Sequence, residues 1–250
     1  MPLTRKVFLM LAAITALGLA APAVYADTVI IGGTFGQNRF PFGTDPIIGP
    51  NYTAGATYQQ IHSGAAFGAG PITITQIAFA SVPFAGGGPG TANFNFNLRL
   101  GTAATTVTTV SSTFSANRGA DFTTVFSGGI TAMMTRTSMF DFVIDLTTPF
   151  TYNPSSGDLL LDVVINSPTM FSNGSLYFLT GASADARRVF NVNPSLTGTV
   201  DTVSLRTRIE FTPAGGAIPE PTTLLLLGTG LAGVATKVRK RRKADNSEGV

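Results

Sequence analysis

Ala92-Asn-Phe-Asn-Phe-Asn-Leu-Arg-Leu-Gly101 is the stretch that decides how this chain folds. Phe94, Phe96, Leu98 and Leu100 occupy one set of alternate positions, and Asn93, Asn95, Asn97 and Arg99 the other. Successive side chains of a strand point to opposite faces, so a period of two gives one buried face and one wet face. That is the signature of an antiparallel sheet with a solvated side. The wet row is built from amides rather than charges, which makes Asn93, Asn95 and Asn97 the candidate ligand face, able to hydrogen-bond the hydroxyls of a sugar. The same row also serves any soluble sandwich as a plain exterior. Trp, the usual sugar platform, is absent from the chain, leaving Tyr52, Tyr58, Tyr152 and Tyr177 as rings for stacking.

Working outward, the neighbouring segments repeat the theme. Ile72 to Ala80 alternates with one slip at Thr75-Gln76 that suits a bulge. Phe140, Phe142, Ile144 and Leu146 share a face, and Leu159 to Asn166 is apolar on both faces apart from Asp162, as in a strand at the centre of a sandwich. Further strands are predicted at Thr28–Ile31, Tyr58–His62, Thr102–Ser112, Phe122–Ile130 with a break at Gly128-Gly129, Ser175–Thr180, Arg188–Val192 and Ser204–Phe211. Residues 32–55, 83–90 and 147–157 carry the Gly, Pro and Asn of loops. Roughly ten short strands without an amphipathic helix between them predict one all-β domain, a single antiparallel β-sandwich of jelly-roll-like type, over residues 27–213.

The two ends read differently. Arg5 and Lys6, an uncharged apolar run from Val7 to Ala21 and the small residues ending at Ala26 form a secretory signal peptide over residues 1–26, with cleavage between Ala26 and Asp27. A cut after Ala23 and a retained N-terminal anchor are the alternatives. At the other end, residues 214–217 are a short linker, residues 218–243 a segment in three parts, and residues 244–250 a polar tail. The three parts are Pro219-Glu220-Pro221, an uncharged apolar run from Thr222 to Thr236, and the cations Lys237, Arg239, Lys240, Arg241, Arg242 and Lys243. Two prolines lock φ and lack N–H donors, so the triplet stays extended and accessible. As a helix the apolar run spans about 22 Å at 1.5 Å per residue, less than the ~30 Å of a bilayer core. The basic block is predicted to stay on the cytoplasmic side, which puts the body on the far side.

This order resembles the PEP-CTERM sorting signal, a tail of bacterial envelope proteins handled by the membrane protease-transpeptidase exosortase. Ile218 stands where Val is commoner. The resemblance implies an exported protein that meets the secretion translocon, signal peptidase and an exosortase, passes through an inner-membrane-anchored intermediate, and ends in the cell envelope or outside the cell. It also implies a surface, matrix or exopolysaccharide role. A membrane anchor that is never cut is the plainer alternative.

Charge and chemistry narrow the body's role. Of sixteen cations, two lie in the signal and six in the tail, and the remaining eight are all Arg. Residues 27–217 are thus slightly acidic, and the pI of about 9.4 belongs to the ends, so no nucleic-acid partner is expected. The pairs Arg187-Arg188 and Arg206/Arg208 read as solvated. The absence of Cys excludes disulfides and thiol chemistry. A single histidine, His62, and the lack of a G-x-S-x-G elbow argue against a nucleophilic triad. Asp141/Asp145 and Asp158/Asp162 lie about 13 Å apart along a strand, too far to work as glycosidase pairs. Asp121 and Asp158 read as turn formers. No calcium-loop run occurs, and no cofactor is expected. The body is therefore expected to be non-catalytic, with a secreted polysaccharide-active enzyme or a carbohydrate-binding module as the alternatives.

Overall fold

The computed structural model describes residues 26–45, 49, 51–82, 88–136, 140–214 and 230. The predicted signal segment, Ala26 apart, and the predicted sorting segment, Gly230 apart, lie outside them. Among the described residues no helix is long and apolar enough to cross a membrane. The strands are β1 (Asp27–Ile31), β2 (Gly36–Asn38), β3 (Ala56–His62), β4 (Ile72–Phe79), β5 (Ser81–Val82), β6 (Gly90–Thr102) and β7 (Thr123–Met134). They continue with β8 (Phe142–Tyr152), β9 (Leu159–Phe171), β10 (Tyr177–Ala182), β11 (Ala186–Pro194), β12 (Thr199–Asp201), β13 (Val203–Leu205) and β14 (Thr207–Pro213). Three single 3-10 turns are the only helical pieces described between 26 and 214.

The alternation at 92–101 lies inside β6, where Phe94, Phe96, Leu98 and Leu100 are buried while Asn93 and Asn95 are exposed. β6 pairs β7 on one side and β9 on the other, within the order β12-β11-β3-β9-β6-β7. A second sheet runs β1-β14-β4-β8, and a third β13-β10-β2 with β5 also on β10. Every pairing is antiparallel. The second and third sheets are halves of one layer, because three stretches of chain run from one into the other: β1 into β2, β4 into β5 and β13 into β14. The row β1-β14-β4-β8 thus faces β3-β9-β6-β7 while the chain passes repeatedly between layers, the strand order of a jelly roll.

Aromatic rings fill the space between the layers. Phe42 sits 4.9 Å from both Phe79 and Phe142 and 5.2 Å from Phe96, and Phe94 stacks on Phe142 at 3.9 Å. Each such pair adds about 0.5–1.5 kcal/mol to the burial itself. Phe40 and Phe42 belong to the turn-rich stretch after β1, so that loop plugs the core rather than covering it.

The bulge expected at Thr75-Gln76 is present, as a register shift between Ile74 and Gln76. Three predictions are corrected. Thr102–Ser112 leaves the sheet at Thr102 because its threonines bond the local backbone: Thr109 Oγ1 accepts from Thr106 N at 3.0 Å, and Thr106 Oγ1 from Thr108 N at 3.3 Å. β7 is not broken at Gly128-Gly129, since Gly128 adopts φ 130°, which only glycine accepts readily, and the ladder to Phe96 continues. Thr147–Tyr152 extends β8 instead of forming a loop. Pro149 is tolerated because β8 is an edge strand.

Candidate functional site

The outward face of β6 and β9 holds two polar sites side by side. Its first half is sealed. Asp162, fully buried, accepts from Arg99 Nη2 at 2.5 Å through one oxygen and from Arg118 Nη2 at 3.0 Å and Gln59 Nε2 at 2.6 Å through the other. Asn117 donates to Gln59 Oε1 at 2.9 Å, and both guanidinium groups stand 5.0 Å from the Phe122 ring centre. The 103–122 segment supplies Asn117, Arg118 and Phe122 and thereby roofs this half of the sheet. Asp158 holds the same segment from its edge, accepting from Val107 N at 2.8 Å and Gly64 N at 2.9 Å, while Asp121 accepts from Thr102 N at 2.8 Å.

The second half is open. The candidate residues Asn93, Asn95 and Asn97 follow Arg99 on the same face, and β7 and β9 add Ser127, Thr131 and Asn166, which sequence reading did not single out. Asn166 Nδ2 donates to Asn95 Oδ1 at 3.0 Å, Asn97 Nδ2 to Asn166 Oδ1 at 3.1 Å, Ser127 Oγ to Asn97 Oδ1 at 2.6 Å, and Thr131 Oγ1 to Asn93 Oδ1 at 2.8 Å. A shallow groove of about 370 Å³ lies here, bordered by Asn93, Asn95, Thr131, Ser167 and the exposed Met170. The amides are thus joined into a ladder, but their outer hydrogen-bonding positions face solvent. Pro168 and Thr169 form the bulge that breaks the ladder between Asn93 and Asn95 and shapes the groove floor.

Stacking partners do not come with it. Tyr52, Tyr58 and Tyr152 are core residues, and Tyr177 is half-buried with its hydroxyl donating to Asp45 Oδ2 at 3.3 Å. The expectation that these rings line a sugar site is corrected: their positions in β3, β8 and β10 and the turn before β3 point them inward or onto neighbours.

His62 is buried at 0% exposure on β3, with Nε2 3.4 Å from Gln60 Nε2 and Nδ1 without a hydrogen-bond partner. Burial pushes its pKa down to about 3, so it is neutral. Among the described residues it hydrogen-bonds no serine hydroxyl or carboxylate, so no triad is formed there. Next to it, Gln60 bridges the layers: its Oε1 accepts from Leu205 N at 2.9 Å and its Nε2 donates to Leu205 O at 3.0 Å and Thr207 Oγ1 at 3.1 Å. Leu205 lies where β13 gives way to β14, so Gln60 replaces the ladder bonds lost at that step. Tyr58 donates to Gln60 Oε1 at 2.5 Å, and burial raises its pKa to about 12.

Several of the other ionisable groups have partners. Asp145 accepts from Gln76 Nε2 at 2.7 Å, and Asp141 from Arg136 N at 3.0 Å. Arg188, read from sequence as solvated, is buried and forks onto Asp201 at 3.0 and 2.8 Å, and Arg208 lies 3.1 Å from Glu210. Among the described residues no group of His, Asp and Glu is arranged to hold a metal ion.

Comparison with known proteins adds one identification. Residues 217–242 match the family model of the PEP-CTERM protein-sorting motif, a range that contains the candidate triplet Pro219-Glu220-Pro221 and all the predicted basic cluster except Lys243. The chain carries that sorting signal and is accordingly an exosortase-targeted, exported, membrane-passing protein. No curated protein matches the sequence. A crystal structure of the infectious bursal disease virus VP2 subviral particle aligns over 90% of this chain and 50% of its own, at 12% identity and a TM-score of 0.14, too low for any inference about fold or role.

Proposed function

We propose that this is a non-catalytic cargo protein of a bacterial envelope, exported behind the signal peptide of residues 1–26 and processed at Pro219-Glu220-Pro221. The sandwich then remains at the cell surface or in the extracellular matrix, where its open amide face contacts exopolysaccharide. The observation that supports this reading most is the sorting motif at 217–242, placed directly after a β domain. Asp121, Asp141, Asp145, Asp158 and Asp162 each hold a backbone or side-chain partner, which supports a structural role for these five carboxylates. A ladder of Asn, Ser and Thr offers donors and acceptors in the spacing of a sheet, suited to a repeating polyol such as a polysaccharide. Lacking an aromatic platform, such contacts are weak singly and gain from repetition along a polymer.

The test is binding and turnover together. The mature protein from its native host, incubated with that host's exopolysaccharide, is expected to co-sediment with it and to release no reducing ends. Release of reducing ends establishes the alternative of a secreted polysaccharide-active enzyme. Absence of co-sedimentation, with the protein folded, removes the polysaccharide role.

A further inference from the structure

Strand edges separate β7 from every other element. An edge strand offers unpaired N–H and C=O groups to any other chain, and proteins blunt such edges by keeping them short or by adding proline or charge. The edges of this sandwich are treated that way with one exception. β12 has three residues and ends on Asp201, β1 has five and begins on Asp27, and β2, β5 and β13 have three, two and three. β8 carries Asp145 and Pro149. β7 runs twelve residues, TTVFSGGITAMM, with no charge and no proline. β8 covers only its beginning, where Thr147 Oγ1 donates to Val125 O at 2.8 Å. From Ser127 to Met134 no described residue pairs with the edge opposite β6.

We infer that the free edge of β7, Ser127–Met134, pairs antiparallel with the same edge of a second copy of this chain. Like pairs with like because no other edge among the described strands is both long and unguarded, so the contact closes as a two-fold dimer instead of propagating. Both partners are uncharged along the contact, so the pairing brings no like charges together. A two-fold axis at Gly129 sets Ser127 of one copy opposite Thr131 of the other on the outward face, two small neutral side chains that raise no clash across the seam. On the inward face it sets Phe126 opposite Ala132. Both amide ladders, each one strand behind β7, then lie on one continuous sheet face.

The chain has no cysteine, so a single introduced thiol reports the contact without background. Gly129 has room for it, since a Cβ there meets only Phe94 O at 3.6 Å. The full-length Gly129→Cys chain, exported by its native host and treated with a mild oxidant, is expected to give a disulfide-linked dimer. The Leu196→Cys control, at a site 84% exposed but far along the chain from β7, is expected to stay monomeric. Equal cross-linking at the two positions, or none at Gly129, overturns the pairing. Thr131→Lys, a surface change that leaves the core untouched, is expected to convert the unmodified mature protein from twice the chain mass to the chain mass in light scattering. A monomer before the substitution, or a dimer persisting after it, overturns the proposal as well.

Discussion

Two halves of one sheet face, made by the same strands β6 and β9, are finished in opposite ways. Around Asp162 the polar groups are charged, roofed by the 103–122 segment and gathered onto one buried carboxylate; around Asn95 they are neutral, open and bonded only sideways to their neighbours. The difference teaches where stability and where recognition are placed. Buried ionic groups cost desolvation and hold only as a complete set, so they fix a loop. Exposed amides cost little to present, tolerate change, and keep hydrogen-bonding capacity for something outside the protein.

The contrast can be broken most forcefully at its buried end. Asp162→Ala takes the shared buried carboxylate from Arg99 on β6 and from Arg118 in the loop above it, and is expected to lower stability by about 3–5 kcal/mol, the usual loss when one partner of a buried ion set is removed. Urea denaturation measures it, and a loss no greater than that at an exposed site would mean the roof is loose. Next comes Gln60→Ala, which takes one partner from Leu205 N and one from Leu205 O but leaves them the Tyr58 and Thr207 hydroxyls; the loss is expected to be about 1–3 kcal/mol in all, below that of Asp162→Ala.

Acid provides a smaller, graded effect. His62 has a folded pKa of about 3 against an unfolded value of 6.5, so between these values the unfolded chain binds the extra proton. Its contribution to stability is complete above pH 6.5 and is lost as the pH falls, at up to about 1.4 kcal/mol per pH unit. Thermal unfolding from pH 7 to pH 4 is expected to show this slope in the native protein and a shallower one in His62→Gln. Identical slopes would show that the histidine is hydrated. The smallest stability change is expected at the open half, where Asn97→Ala alters stability by no more than about 0.5 kcal/mol, while co-sedimentation with exopolysaccharide drops. Unchanged binding in Asn93→Ala, Asn95→Ala and Asn97→Ala together would reduce the ladder to plain exterior.

Most of the sheet was legible because alternation is a local signal: Phe94 through Leu100 and Phe142 with Ile144 declare their faces without reference to any partner. Alternation also marked Asn93, Asn95 and Asn97 as outward. It was silent on coverage, and Asn97 and Arg99, two residues apart on one face, differ only because a loop from later in the chain lies over one of them. That loop was misread as a strand because the β-branched threonines at 102–109 favour extended backbone on average, and here their hydroxyls satisfy local backbone groups instead. The same limit hid the roles of Gln60, Asp162 and Arg188, whose partners lie far away in sequence at Leu205, Arg99 and Arg118, and nearer at Asp201. The sorting segment was legible for the opposite reason, since its meaning lies in a contiguous string of residue types and needs no fold at all.

Processing of that string is the centre of the account, and intact-mass spectrometry of the protein recovered from its native host tests it directly. The account predicts a mature chain that begins at Asp27 and ends at or before Pro221, and that keeps its full C-terminus when Glu220 is replaced by Ala. A mature, surface-located chain that still ends in Val250 contradicts it.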